Sequence, residues 1–214
     1  MTVELPMFPL GTVLLPGALL PLHVFEARYR ALTLHCLAGG ADAELGVVLI
    51  ERGSEVGGGD VRFDVGTRAR IVSAVPLDDG RWFLVLRGVE RIRVVRWLGE
   101  EPFPRAEVDV VADEQGGEDA AAARDRVERL LRQALALAAE LGEPTAAPAT
   151  VALDPAPAAA TWQAAAVAPV GALDAQRVLA MPGVDGRLHL LEEILEDEVA
   201  VLEHRARGGG AADE

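Results

Sequence analysis

The sequence predicts an α+β protein: a compact, mostly antiparallel β domain over residues 1–112 with one early helix, a helical region over 113–206, and a disordered tail over 207–214. Three observations predict it. Turn dipeptides and period-two apolar alternation dominate up to Ala112, and beyond it the apolar period becomes that of a helix. Alanine and proline then crowd into a stretch at about 142–160, which reads as a linker between helices. A chain of 214 residues is long enough for one substantial core, or for one core and a smaller partner.

The chain opens on an apolar stretch, "MFPLGTVLLPGALLPLHVFEARYRAL", Met7 to Leu32. Glu4 stands where an export signal would need positive charge, and Pro6, Pro9, Pro16 and Pro21 interrupt the run, which argues against a signal or spanning helix. Proline at that spacing suits short extended pieces joined by turns. "LPMF", "TVLLPG" and "ALLPLHVF" are expected as three such pieces, with Pro16-Gly17 as a turn. After Phe25 the period changes. Tyr29, Leu32 and Cys36 fall at helical spacing, with Glu26 expected in the first turn, where the helix dipole favours an acid, and Gly39-Gly40 closing the helix.

"LGVVLIE", Leu45 to Glu51, has the length and continuous apolarity of a buried strand. The glycines at Gly57–Gly59 precede a strand instead of linking a strand to a helix, so they read as a hairpin tip and not as a phosphate loop. "VRFDVGTRARIVSAVPL" alternates, placing Val65, Thr67, Ala69 and Ile71 opposite Arg68, Arg70 and Val72. "DDG" at Asp78–Gly80 signals a hairpin. "RWFLVLRG" and "VERIRVVRWLG" are expected as two strands separated at Gly88, and "RAEVDVV" as the last. Closure into a small barrel would remove the open edges.

From Glu118 the pattern is helical, with Val127, Leu130, Leu131, Ala134, Leu135, Ala138 and Leu141 on one face. Asp125 with Arg129, and Glu128 with Arg132, are spaced for ion pairs on the other face. Two short helices, Thr161–Val167 and Leu173–Met181, lead into a long one at about Asp185–Arg205, with Leu188, Leu191, Leu195 and Leu202 inward.

The formal charge of −14 and the complete absence of lysine exclude much chemistry. There is no lysine for a phosphate loop, a Schiff base or a serine–lysine dyad, and the acidity opposes general nucleic-acid affinity. Cys36 stands alone, so no disulfide framework exists and a reducing cytoplasm is the simplest compartment. Ser54 and Ser73 sit in no nucleophile motif. His23 with Glu26 lacks a third ligand nearby, so neither a metal nor any other cofactor is expected.

In order along the chain, "FPLGTVLLPGALLPLHVFEARYRAL", "GVVLI", "VGTRARI", "LVLRGVERIRV" and "AEVDVV" closely resemble the N-terminal, substrate-binding domain of Lon proteases. The ending "PGVDGRLHLLEEILEDEVAVL" resembles the helical half of the same region. That resemblance implies a PUA-like β pseudo-barrel followed by a C-terminal helical bundle. It departs at Ala27, where the family commonly has proline, and in having neither the ATPase module nor the peptidase, which makes it look like a stand-alone bacterial member without proteolysis.

"HVFEARYR" is the densest polar cluster beside aromatic side chains, and it has two readings. In the structural one, Glu26 and the arginines cap and pair at the helix start while Phe25 and Tyr29 pack under the barrel. In the functional one, Phe25, Glu26, Arg28 and Tyr29 contact an unfolded segment of a client protein. The resemblance implies such clients, unfolded or partly folded proteins or peptides, and a protease or chaperone that receives them, with no membrane partner. Recognition would combine an apolar groove between barrel and bundle with an exposed strand edge, by strand addition or side-chain pockets. The alternative is an RNA-binding module in which Arg68, Arg70, Arg87, Arg91, Arg93 and Arg96 line one sheet face, against the plainer reading that these arginines pair with the many acids. Of Trp82 and Phe83, adjacent on a strand, one faces the core and one the surface.

Overall fold

The computed structural model describes residues 2–40, 43–53, 59–113 and 115–209. Ser54, Gly57, Gly58 and residues 210–214 of the expected tail lie outside the described residues. The chain divides into two compact units, Met1–Ala112 and Asp113–Glu214.

Among the described residues the first unit contains six strands and one helix: β1 (Thr2–Leu10), β2 (Leu19–Val24), α1 (Ala27–Ala38), β3 (Glu44–Arg52), β4 (Val61–Pro76), β5 (Trp82–Trp97) and β6 (Arg105–Val110). They form one mixed sheet in the order β2-β5-β4-β3-β1-β6, and β6 also pairs with β5, so five strands close on themselves and β2 flanks β5. The β1–β3 pair is parallel and all other pairs are antiparallel. The long β5 serves two neighbours end to end: Trp82–Arg87 pairs with β2, and Ile92–Trp97 pairs with β6.

Two of the expected strands change here. Gly88 does not separate one strand from another but lies within the continuous β5, at a register shift against β4. A Cβ at this position would strike the Leu15 carbonyl oxygen, so glycine serves close approach of another backbone. "TVLLPG" is correspondingly not a strand but an irregular crossing. Its polar groups are met without a ladder: Thr67 Oγ1 donates to the Leu14 carbonyl, Gly17 N–H to the Gly88 carbonyl, and Gly88 N–H to the Ala18 carbonyl. Leu14 and Leu15 are buried by it.

Among the described residues, two apolar clusters lie in this unit. One joins Phe8, Tyr29, Leu32, Cys36, Leu84 and Leu86, so the buried stripe of α1 is the one its spacing predicts. The other joins Met7, Val48, Ile92, Val94, Ala106 and Val108. Gly80, at φ 78°, closes the Asp78–Gly80 hairpin, with Leu77 N–H donating to the Arg81 carbonyl.

The second unit contains α2 (Ala120–Glu140), α3 (Pro157–Val167), α4 (Ala172–Ala180) and α5 (Val184–Gly209). Val127, Leu131, Ala134, Leu135 and Ala138 of α2 are buried, as are Leu188, Leu191, Leu195 and Leu202 of α5. Arg126 bridges the two helices to Glu192 at 2.6 Å. Glu128 pairs with Arg132 as its spacing predicts, whereas Asp125 meets Arg124 instead of Arg129. The Ala/Pro stretch is a strap and not a free linker. Arg132 donates to the Val151 carbonyl, Arg124 to the Leu153 and Asp154 carbonyls, and Leu153 N–H to Glu128, while Leu153 is itself buried. Its last residues already belong to α3, which begins at Pro157, with proline in the position where its missing N–H costs nothing. Among the described residues no helix is long and apolar enough to cross a membrane.

Candidate functional site

The start of α1 separates the four candidate residues. Glu26 is the residue before the first turn, in extended conformation, and makes no side-chain cap, so the expected acid within the first turn is absent. Its carboxylate instead accepts from Arg28 Nε at 3.1 Å. The Arg28 guanidinium covers the Tyr29 ring, 4.4 Å from its centroid. Tyr29 is only 3% exposed and stacks on Phe8 at 4.1 Å, 12° from parallel. Burial pushes its phenol up to about 12, a rise that Arg28 opposes. Phe25, one residue before the cap, is 53% exposed, with its ring 6.4 Å from that of His23.

Glu26 and Arg28 border a cleft of about 460 Å³ shared with Asp60, Arg62 and Glu100. The cleft is charged and already paired. Arg62 holds Asp60, reaches Glu100 at 3.0 Å, and lies over the Trp97 ring. Burial alone would raise the Asp60 carboxyl, but the hydrogen bond from Arg62 keeps it below the ordinary range. These groups satisfy one another and tie the start of β4 to the β5–β6 connection.

Phe25 instead continues an apolar strip on the outer face of β2, β5 and β4. Cross-strand partners lie on one face, so the register defines its rows. In the first, His23 stands opposite Phe83, which stands opposite Val75; the second runs Pro21, Val85, Ser73; the third runs Leu19, Arg87, Arg70. Phe83 is 46% exposed, Val75 50% and Leu19 56%. Trp82 is the inward member of the Trp82–Phe83 pair, packed on the core beside Leu84 and Leu86. Exposed aromatic and aliphatic side chains gathered on one face are what an apolar ligand needs.

The family model that describes the substrate-binding domain of the ATP-dependent protease La (LON) matches residues 4–197. This chain belongs to that family. It is 32% identical over 203 residues to Lon protease 2 of Myxococcus xanthus, covering 92% of this chain and 24% of that protein. It is 30% identical over 211 residues to Lon protease 2 of Herpetosiphon aurantiacus, covering 94% and 25%. The chain therefore spans about a quarter of the length of the curated relatives it matches. Among solved structures, a Lon N-terminal domain protein from Xanthomonas campestris superposes with a TM-score of 0.63 at 28% identity, covering 88% of this chain and 96% of that one. The N-terminal domain of the Mycobacterium avium complex Lon protease shares the fold, with a TM-score of 0.64 at 18% identity, covering 91% and 99%.

Within this Lon-family chain, the strand arginines do not form one free basic face. Arg68 pairs with Glu44 and Glu90, Arg70 with Glu44, and Arg96 with Glu107, while Arg91 is buried. The sequence singles out Phe25 as a candidate but not the exposed Phe83, Val75 and Leu19 on the same face. The signal existed in the period-two pattern, but joining three strands into rows requires their register, which a single chain of letters does not carry.

Proposed function

We propose that this chain is a non-catalytic binding module that holds unfolded or partly folded proteins through exposed apolar segments, serving as an adaptor that passes them to a protease or chaperone in the bacterial cytoplasm. In this reading its two units are a PUA-like pseudo-barrel and a helical bundle, and the pseudo-barrel presents the client-binding face. The observation that carries it is the strip of Phe25, His23, Phe83 and Val75 on the outer face of three strands, in a chain of the substrate-binding family. Apolar contacts of this kind tolerate many sequences, so affinity for any one segment is modest. Glu26, Arg28 and Tyr29 act beneath Phe25 in this reading. Tyr29 anchors α1 in the core and the Glu26–Arg28 pair sets the chain direction from which Phe25 projects.

Fluorescence anisotropy against a permanently unfolded protein, its folded form and single-stranded RNA, each at two salt concentrations, tests the proposal. Saturable binding to the unfolded form alone, little changed by salt, is expected. Phe25→Ser with Phe83→Ser should weaken it by about tenfold or more, the scale of losing central aromatic anchors. Equal binding of folded and unfolded forms would sink the reading. RNA binding that weakens steeply with salt would replace it with the nucleic-acid alternative.

A further inference from the structure

The rows of the β2–β5–β4 face are not uniform along the strands. At one end His23, Phe83 and Val75 stand together; four residues further along β5, the third row places Arg87 between Leu19 and Arg70. Arg70 is engaged by Glu44 at 3.1 Å, whereas Arg87 is exposed and has no acidic partner among the described residues. A free guanidinium at the end of an apolar strip is conspicuous in a chain of formal charge −14.

We propose that this face selects extended segments in which two apolar residues at alternate positions are followed, after a further two, by an aspartate or glutamate. The inference rests on the client-binding reading above and adds a sequence preference to it. An extended segment lying along the strands presents every second side chain to the face, at intervals of roughly 7 Å. Its first apolar side chain covers Phe83 and its second covers Val85. The carboxylate at the fifth position arrives about 13 Å from the first side chain, where Arg87 stands. Two parallel N–H groups of the guanidinium can meet both oxygens of a carboxylate, which a lone ammonium cannot do as well.

The face, and not the β2 edge, carries the recognition. Gly88 N–H donates to the Ala18 carbonyl, so by the alternation of an antiparallel ladder the backbone groups of Leu20, Leu22 and Val24 turn toward β5 and those of Leu19, Pro21 and His23 turn away. Pro21 thus puts a missing donor at the centre of the outer edge, which blunts strand addition there.

The test is anisotropy with the full chain and capped, fluorescein-labelled peptides reading Phe-Ser-Leu-Ser-Glu within a neutral glycine–serine carrier. Glutamine and lysine versions, and the same sets in reversed order, complete the series. In at least one chain direction the glutamate peptide should bind roughly two- to fivefold more tightly than the glutamine peptide, the scale of one exposed ion pair, and the preference should fade toward about 1 M salt. R87Q should abolish the preference for glutamate over glutamine, and R87E should invert it in favour of lysine. Both changes lie on an exposed position, and a thermal melt equal to that of the unaltered protein confirms that each variant is folded. Equal binding of all three peptides would overturn this inference and leave the client-binding reading standing. A glutamate preference that survives R87E would overturn the assignment of Arg87, and failure of every peptide to bind would overturn both readings.

Discussion

Tyr29 is the single tyrosine of the chain, so its ionisation is visible in the ultraviolet spectrum without interference from another phenol. Its hydroxyl is buried with no hydrogen-bond partner among the described residues, under the Arg28 guanidinium and against Phe8. Burial pushes the phenol up to about 12, against an ordinary value of 10.0. The folded state therefore keeps a proton that the unfolded state releases. Stability from this group is whole below the unfolded value and is lost as pH rises from there through the folded one. The Cys36 thiol adds to the loss, since burial pushes it up to about 11 from 9.0. A spectrophotometric titration should give a tyrosine midpoint near 12, and Tyr29→Phe should remove some of the alkaline destabilisation. Because the hydroxyl has no partner to lose, the same variant should stay within about 1 kcal/mol of the original at neutral pH. A midpoint near 10 would mean that the ring is open to water. The residue thus anchors α1 in the core, whereas its neighbour Phe25 meets the solvent.

At the level of elements, most strands and helices were legible because their apolar period is regular; α1, β3, β4 and the apolar faces of α2 and α5 follow their spacing. The errors have one cause. "TVLLPG", Gly88 and the Ala/Pro strap are each settled by groups distant in sequence: Thr67 and Gly88 for the crossing, Leu15 for Gly88, and Arg124, Glu128 and Arg132 for the strap. Local propensity sees a turn residue or a flexible tract, and the long-range hydrogen bonds decide otherwise. The site was half legible for the same reason. Phe25 is conspicuous beside its charges, but Phe83 and Arg87 become its companions only through the register of β2 on β5. Gly88 gives the sharpest test of the crossing. Gly88→Ala forces a Cβ into the Leu15 carbonyl, so either that segment lifts off β5 or the strand bends. The expected cost is about 2–3 kcal/mol, at the upper end for overpacking because backbone cannot rotate aside as a side chain can. Urea denaturation measures it, and a loss below about 0.5 kcal/mol would show that Leu15 does not press on β5.

For the whole molecule, the question is which region suffices for binding. Among the described residues, both apolar clusters of the sheet are drawn from the first unit, and its five-strand closure leaves β2 as the flanking strand. The proposed face, from Leu19 to Arg87, lies within the same unit. A domain of this size buries roughly two thirds of its unfolded surface, enough to fold without outside help. A fragment of residues 1–112 is therefore expected to unfold cooperatively and to bind the unfolded client within about threefold of the full chain, since every residue of the proposed face belongs to it. Circular dichroism tests the first expectation and anisotropy the second. A folded fragment that does not bind would move the client site to residues 113–209, where Arg187 is the largest fully buried side chain, held by Asp113 at 3.0 Å and by the Trp162 ring. An unfolded fragment would instead make the second unit a structural requirement of the first. Binding by the fragment, lost again on Phe25→Ser with Phe83→Ser, would locate recognition on the sheet.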